Sequence, residues 1–141
     1  MAYRIKRVDG DDFAETLLEL DEEVFGDSAP RIKPERGWWW IVHDGRELAG
    51  YCGLNPTEAT PLEGAYLARA GVLLPHRGQG LQRRLIRVRE ALARRSAFKW
   101  IVTDTTDNPA SANTLIACGY KIYRPPQPWA FNNSIYWIKN L

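Results

Sequence analysis

The chain has 141 residues, of which 45% are hydrophobic and 26% are charged. This length and composition are typical of one folded domain and exclude a disordered chain. The 19 basic and 17 acidic residues leave a formal net charge of +2. That balance argues against a protein dedicated to nucleic acids, because such proteins usually carry a large basic excess.

The first half of the chain predicts a strand and then a helix. Tyr3–Val8 alternates polar and apolar residues, as a half-buried strand does. Asp11 and Asp12 are expected to cap the helix that follows, and Gly26 is expected to end it.

Three more strands are predicted after a loop at Asp27–Gly37. Trp38–Val42 is rich in aromatic and β-branched residues. Asp44-Gly45 is a strong signal for a two-residue hairpin turn, so Glu47–Leu54 should return antiparallel. Residues 65–74 are long and mostly apolar, which is typical of a central strand buried on both faces.

The second half alternates helices and strands. Leu81–Arg95 has an apolar stripe at helical spacing. Its remaining face is rich in arginine, at Arg83, Arg84, Arg87, Arg89, Arg94 and Arg95. The later elements are strands at Lys99–Asp104, Tyr120–Tyr123 and Ser134–Lys139 and a helix at Pro109–Ala117, with Gly119 as its C-terminal cap. The order β-α-β-β-β-α-β-α-β-β predicts an α/β (α+β) domain with a mixed sheet.

The cysteines and histidines are isolated and predict neither a disulfide nor a metal site. Cys52 and Cys118 lie far apart, as do His43 and His76, whereas zinc ligands usually come in closely spaced pairs. No signal peptide is recognisable, and no apolar run approaches the roughly 18 residues of a membrane span. We therefore expect a cytoplasmic protein with no metal and no membrane partner.

The most informative segment is a glycine-rich turn at residues 77–82, Arg-Gly-Gln-Gly-Leu-Gln, between a buried strand and a helix. Its exposed amides, the unpaired amides of the first helical turn and the helix dipole together favour a phosphate group. A P-loop would need Lys-Ser/Thr after the second glycine. A dinucleotide fingerprint would need glycine where Arg83 stands. Both nucleotide-binding interpretations are therefore disfavoured.

This turn resembles motif A of the GCN5-related N-acetyltransferase (GNAT) superfamily, Gln/Arg-x-x-Gly-x-Gly/Ala, and departs from it only at Gln82. Asn108, the short helix and Gly119-Tyr120 resemble motif B of the same superfamily, and the likeness extends over most of the chain. The resemblance implies a single GNAT-like domain over residues 1–141. Its sheet would be mixed and largely antiparallel, flanked by helices, with splayed central strands.

The resemblance implies transfer of an acetyl group from acetyl-CoA to a primary amine by direct attack in a ternary complex. The pyrophosphate would lie on the amides of the turn. The backbone of Val72 and Leu73 would pair with the pantetheine arm, and an amide there would polarise the thioester carbonyl. The residues implied to bind the donor are Val72, Leu73, Arg77, Gly78, Gln79, Gly80, Leu81, Gln82, Arg83, Asn108 and Ser111.

The residues that move protons are left open by the sequence. An attacking ammonium must lose a proton, and Glu63 and Asp104 are candidate bases. Leu115 stands where the superfamily commonly has a tyrosine that protonates the leaving thiolate. Tyr66 is a candidate replacement, with Tyr120, Tyr123 and Ser111 as alternatives.

Two other functions stay open: an acyl-CoA-binding or sensor module without turnover, which Leu115 favours, and a nucleic-acid-binding protein that uses the arginine-rich helix 81–95. The expected acceptor is a small-molecule or peptide amine, and a homodimer is left open. Trp129 is expected to form a lid or a dimer contact, and its loop, Pro125–Phe131, is one place where acceptor specificity is expected.

Overall fold

The computed structural model describes residues 2–57 and 63–141. These residues belong to two compact units: the first comprises Met1–Asn55 and Ala68–Leu85, and the second comprises Pro56–Leu67 and Ile86–Leu141. The interpretation of the whole chain as one domain stays a prediction.

Seven strands and three α-helices occur in the described residues. The strands are β1 (Tyr3–Val8), β2 (Trp38–Asp44), β3 (Glu47–Pro56), β4 (Gly64–Val72), β5 (Trp100–Thr105), β6 (Lys121–Tyr123) and β7 (Ile135–Asn140). The helices are α1 (Ala14–Phe25), α2 (Leu81–Arg95) and α3 (Pro109–Ala117). The sheet order is β1-β2-β3-β4-β5-β7-β6. The predicted α/β fold with a mixed, largely antiparallel sheet is confirmed.

The hairpin of the first unit turns one residue later than predicted. Asp44 still belongs to β2, where it pairs with Glu47 of β3, so the loop is Gly45-Arg46. Gly45 has a φ of +60°. A positive φ at the first loop residue suits a type II′ turn, which follows the twist of the strands it joins.

The core of the first unit joins α1 to this antiparallel sheet. Leu17 and Leu20 of α1 are buried against Trp39, Ile41 and Tyr51 of β2 and β3. The two leucines fall on one helical face, and the strand residues alternate with those on the opposite face of the sheet. The apolar face of α1 therefore packs on the face of the sheet that carries these strand residues.

The start of α1 corrects the predicted cap. Phe13 occupies the N-cap position and makes no side-chain cap hydrogen bond. Instead, the carboxylate of Asp9 accepts hydrogen bonds from the backbone N–H groups of Asp11 (2.9 Å) and Asp12 (3.1 Å). Asp11 and Asp12 therefore contribute backbone donors, and Asp9 organises the turn that leads into the helix.

β4 ends two residues earlier than predicted, because Leu74–His76 forms a 3-10 turn. Pro75 within that turn has no N–H to offer a neighbouring strand. The first residues of β4 pair in parallel with β5, from Gly64↔Trp100 to Tyr66↔Val102. The splaying of the two strands stays a prediction.

In the second unit, β7 is antiparallel to both β5 and β6. Asn108 caps α3, since its side chain accepts a hydrogen bond from the N–H of Ser111 at 3.1 Å. Gly119 follows the helix with a φ of +91°, and its N–H donates to the carbonyl of Ile116. The predicted start and end of this helix are confirmed.

The arginine face of α2 is smaller than predicted. Arg89 is only 2% exposed, and the neighbouring Glu90 is buried as well. Burial of Arg89 removes it from the row of surface cations that the sequence suggested. The other five arginines of the helix are exposed.

Candidate functional site

The glycine-rich turn of the first unit presents an open stretch of backbone. Gly78 and Gly80 both have a φ of +77°, and a Cβ built on either would meet no atom within 4 Å. Residues 77–80 are exposed, whereas Leu81, the first residue of α2, is buried and anchors the helix. The conformation suits glycine, and the open space lets a ligand approach the main chain closely.

The same turn has the electrostatic character of an anion site. The first amides of a helix have no partner within the helix, and the helix dipole makes this end positive. Gln82 is half-buried and Arg83 is exposed in the first turn of α2. The open backbone at both glycines, the helix start and the nearby guanidinium therefore fit a phosphate group such as those of coenzyme A.

Arg77 holds the turn from within. Its Nε donates a hydrogen bond to the carbonyl of Val72 at 2.9 Å, which ties the start of the turn to the end of β4. This contact supports a role for Arg77 in holding the turn.

His76 fixes the segment just before the turn. It is buried, its Nδ1 is 3.0 Å from the hydroxyl of Tyr3, and its Nε2 is 3.4 Å from Oε1 of Glu47. Arg84 also reaches back to the first strand and donates to the carbonyl of Tyr3. The glycine turn therefore starts from a segment that is held by β1 and β3.

At the end of β4, the amide of Leu73 bonds to β3, and the amide of Val72 faces away from β3. The N–H of Leu73 donates to the carbonyl of Ala49 in β3 at 2.9 Å. Since amides alternate in direction along an extended strand, the N–H of Val72 lies on the opposite edge. Of the two predicted positions, Val72 is therefore the better candidate for polarising a thioester carbonyl.

A carboxylate with aromatic neighbours occupies the end of β5 in the second unit. Oδ1 of Asp104 accepts one hydrogen bond from the hydroxyl of Tyr66 and another from Nε1 of Trp129, both at 2.8 Å. Trp129 also packs edge to face on Tyr66 and on Tyr136. The structure thus brings together two of the predicted catalytic residues, Asp104 and Tyr66.

Glu63 does not belong to this group of contacts. Its carboxylate forms an ion pair with Lys99 at 3.2 Å, and both side chains are exposed. The backbone N–H of Lys99 also donates to the carbonyl of Glu63. These contacts are those of a residue that joins the starts of β4 and β5 at the surface.

The candidate proton donors other than Tyr66 lie in less suitable places. Tyr120 is buried, and its hydroxyl donates a hydrogen bond to Glu90 at 2.9 Å. Burial, together with the charge of Glu90, raises the pKa of Tyr120 far above the ordinary 10.0. Burial also raises the pKa of Tyr123. Ser111 lies in the first turn of α3, and Leu115 is buried on the same helix.

Sequence reasoning missed two features that the structure shows. Tyr136 completes the aromatic contacts of Trp129, although nothing in the alternation of β7 distinguishes it. Asp21 is buried on α1 with Tyr51 and Arg69 as partners, although its spacing resembles that of the surface acids around it. Asp21 depends on partners 30 and 48 positions away, whereas Tyr136 meets Trp129 across the loop that precedes β7.

Three absences concern only the part of the chain that the structure describes. Residues 2–57 and 63–141 contain no group of three His, Cys, Asp or Glu side chains that could hold a metal ion. None of the described helices is long and apolar enough to cross a membrane. Cys52 and Cys118 are both buried, and neither forms a disulfide.

Comparison with solved structures shows the same fold in several proteins. An IAA acetyltransferase from Bacillus cereus has 16% identity and a TM-score of 0.76, with 99% of this chain and 100% of that chain covered. The GNAT domain of S. lividans PAT has 18% identity and a TM-score of 0.79, with coverages of 99% and 90%. The NatC complex bound to Gag peptide and CoA has 16% identity and a TM-score of 0.77, with coverages of 100% and 99%.

No curated protein matches the chain. The model of the acetyltransferase (GNAT) family, in contrast, matches residues 2–120, which include the glycine turn, Asp104 and all of α3. Both resemblances noted in the sequence, at the turn and around Asn108, fall within the matched region. The chain therefore belongs to the GNAT acetyltransferase family.

Proposed function

We propose that this protein transfers an acetyl group from acetyl-CoA to a primary amine by direct attack in a ternary complex. The observation that carries the proposal is the exposed turn at Gly78 and Gly80, where the backbone is open to a phosphate group. Family membership supports an acyl-CoA donor. Acetyl-CoA supplies the acetyl group as a thioester, whose carbon–sulfur bond breaks when the amine nitrogen bonds to the carbonyl carbon.

The donor would be held by the first unit. Amides at Gly78, Gly80 and Gln82 bind the pyrophosphate, with Gln79, Leu81 and Arg83 around it. The Val72 amide polarises the thioester carbonyl, and Arg77 keeps the turn in place through its bond to the Val72 carbonyl. In the second unit, Asn108 and Ser111, which form the cap of α3, are the further residues proposed for the donor.

Asp104 is the proposed base. An ammonium has no lone pair, so a proton must leave it, directly or through water, before the nitrogen attacks. Asp104 is half-buried and its contacts are to neutral donors, whereas Glu63 is already paired with Lys99 at the surface. Tyr66, whose hydroxyl contacts Asp104, remains the proposed proton donor to the leaving thiolate.

The first test replaces Gly80 with Glu. A carboxylate in the turn repels the pyrophosphate, so we expect calorimetry to show no binding of coenzyme A. Gly45→Glu is a matched control, because Gly45 also has a positive φ and open space around its Cβ position. Gly45→Glu introduces the same backbone strain and the same charge away from the turn, so any additional loss in Gly80→Glu comes from the turn itself. If Gly80→Glu binds coenzyme A as tightly as the control does, the turn is not the donor site.

The second test separates an enzyme from a binding module without turnover. The buried Leu115, in place of the tyrosine common in the family, is the observation that favours the module. We expect release of free thiol from acetyl-CoA that depends on an added amine and is lost in Asp104→Asn. Tight binding of coenzyme A with no amine-dependent release across a panel of alkylamines, amino acids and peptides would establish the module instead.

A further inference from the structure

We infer that the amine acceptor is recognised as an ammonium cation by Asp104 together with the rings of Tyr66, Trp129 and Tyr136, a group we name the Asp104 site. All four residues belong to the second unit. The inference rests on the proposed function for its use in catalysis. Binding of a cation by these residues can be measured independently of that function.

The charge of Asp104 is the first reason. Two neutral donors, the hydroxyl of Tyr66 and the indole N–H of Trp129, share its Oδ1. Neither donor neutralises the carboxylate, and Asp104 takes part in none of the ion pairs found among the described residues. A half-buried carboxylate in this state is stabilised by a cation placed against it.

Two other acids of the same unit, Glu63 and Glu90, differ from Asp104 in this respect. Glu63 is paired with Lys99 at 3.2 Å, and Glu90 is paired with Lys139 at 3.0 Å. Each of these carboxylates already has a lysine. Among the described residues, Oδ2 of Asp104 has no hydrogen-bond partner, so it is open to a cation, while Tyr66 and Trp129 contact Oδ1.

The arrangement of the rings is the second reason. The Trp129 ring is nearly perpendicular to that of Tyr66, at 89° with centroids 6.1 Å apart, and to that of Tyr136, at 76° and 4.6 Å. These rings contact one another beside the carboxylate of Asp104, and aromatic faces attract alkylammonium groups that lie against them. The Asp104 site therefore suits a cation whose carbon atoms also contact the rings.

The loop that carries Trp129 is held so that the site stays accessible. The N–H of Ala130 donates to the hydroxyl of the buried Tyr136 at 2.9 Å, which fixes the backbone beside Trp129. Trp129 itself remains 45% exposed. An acceptor can thus reach the carboxylate along an exposed indole, and the expected acceptor class is an alkylamine that is protonated in solution, in preference to a neutral arylamine.

Choline is a suitable probe, because its quaternary nitrogen carries a positive charge and cannot be acetylated. Its neutral counterpart is 3,3-dimethyl-1-butanol (dimethylbutanol below), in which a carbon atom replaces the nitrogen of choline. The indole N–H signal of Trp129, identified in an NMR spectrum with Trp129→Phe, reports on the site without any acyl donor. We expect choline to shift this signal in a saturable way at constant ionic strength, and dimethylbutanol to leave it in place. Equal shifts from both compounds, or none from choline, would overturn the inference.

Asp104→Asn tests the carboxylate while preserving its shape. We expect it to weaken choline binding about tenfold or more, since a charged contact in a half-buried site is lost. Asp107→Asn is the matched control: Asp107 is exposed, three residues away, with a φ of +49° that asparagine also tolerates. Unchanged choline binding in Asp104→Asn would overturn the inference. Choline binding without thiol release would support the inference and count against the proposed function alone.

Discussion

At the residue scale, the buried charge of Asp21 is the feature on which we expect the first unit to depend most. Asp21 is 3% exposed on α1. It accepts hydrogen bonds from the hydroxyl of Tyr51 at 2.6 Å, from Nη1 of Arg69 at 3.1 Å and from the N–H of Ile32 at 3.3 Å. These contacts connect a helix, two strands and the loop after the helix, so one carboxylate holds four segments of the unit.

We predict that Asp21→Ala lowers the free energy of unfolding by about 3 kcal/mol or more, because Arg69 and Tyr51 lose a buried partner. Urea unfolding measures this change. Glu22→Gln is the control: its ion pair with Arg31 has a similar length, 3.3 Å, but the side chains are 51% and 66% exposed. An exposed pair contributes at most about 1 kcal/mol. Equal losses for the two variants would show that burial of Asp21 adds nothing.

At the element scale, the entry to α1 depends on a residue that lies outside the helix. Asp9 accepts two backbone hydrogen bonds ahead of the first turn. We predict that Asp9→Ala costs about 1 kcal/mol of stability, the usual value for a lost helix cap. Asp11→Ala and Asp12→Ala should change stability by less, because only their backbone N–H groups take part. If Asp11→Ala or Asp12→Ala loses more stability than Asp9→Ala does, that residue caps the helix, as predicted from the sequence.

The elements that the sequence predicted well are those specified by local signals. α2 begins and ends at the predicted residues, because its apolar spacing continues up to the last turn. α3 also has the predicted ends, because Asn108, Pro109 and Gly119 are cap and breaker residues that act within one turn. The hairpin loop was placed one residue early, since Asp44-Gly45 and Gly45-Arg46 differ only in which residue keeps its strand pairing.

The candidate site was predicted in part for the same reason. The glycine turn is a local motif, so its residues could be named from the sequence. The contacts of Asp104 join residues 38 positions apart in one case and 25 in the other. No periodicity connects such positions. Asp104, Tyr66 and Trp129 could therefore be proposed one by one, but their association and the part played by Tyr136 required the folded chain.

At the scale of the whole molecule, the net charge of +2 conceals an uneven distribution along the chain. Residues 1–63 have 7 basic and 14 acidic side chains, a net −7; residues 64–100 have 9 and 1, a net +8; and residues 101–141 have 3 and 2, a net +1. The positive segment contains the glycine turn. Because Arg89 is buried, the arginine-rich helix offers a nucleic acid fewer surface cations than the sequence suggested. The positive excess still favours binding of an anionic donor.

This distribution leads to a prediction about salt. Arg83 is exposed in the first turn of α2, and Arg94 is exposed in the last turn of the same helix. Eleven residues of helix rise by about 16 Å, which exceeds the Debye length of about 8 Å at physiological ionic strength. We expect Arg83→Gln to weaken coenzyme A binding about fivefold at low salt, as a partly screened charge contact does. Arg94→Gln should have little effect, although it removes the same charge.

Calorimetric titrations of the two variants at increasing salt test whether the local or the total charge matters. If Arg83 contacts the phosphates, the loss of coenzyme A affinity in Arg83→Gln should shrink as salt screens the contact. The affinity of Arg94→Gln should equal that of the unmodified protein at every salt concentration. If both variants lose affinity equally, the segment acts only through its summed charge. The placement of the donor at the start of α2 would then lose this support, whatever the outcome of the substitution at Gly80.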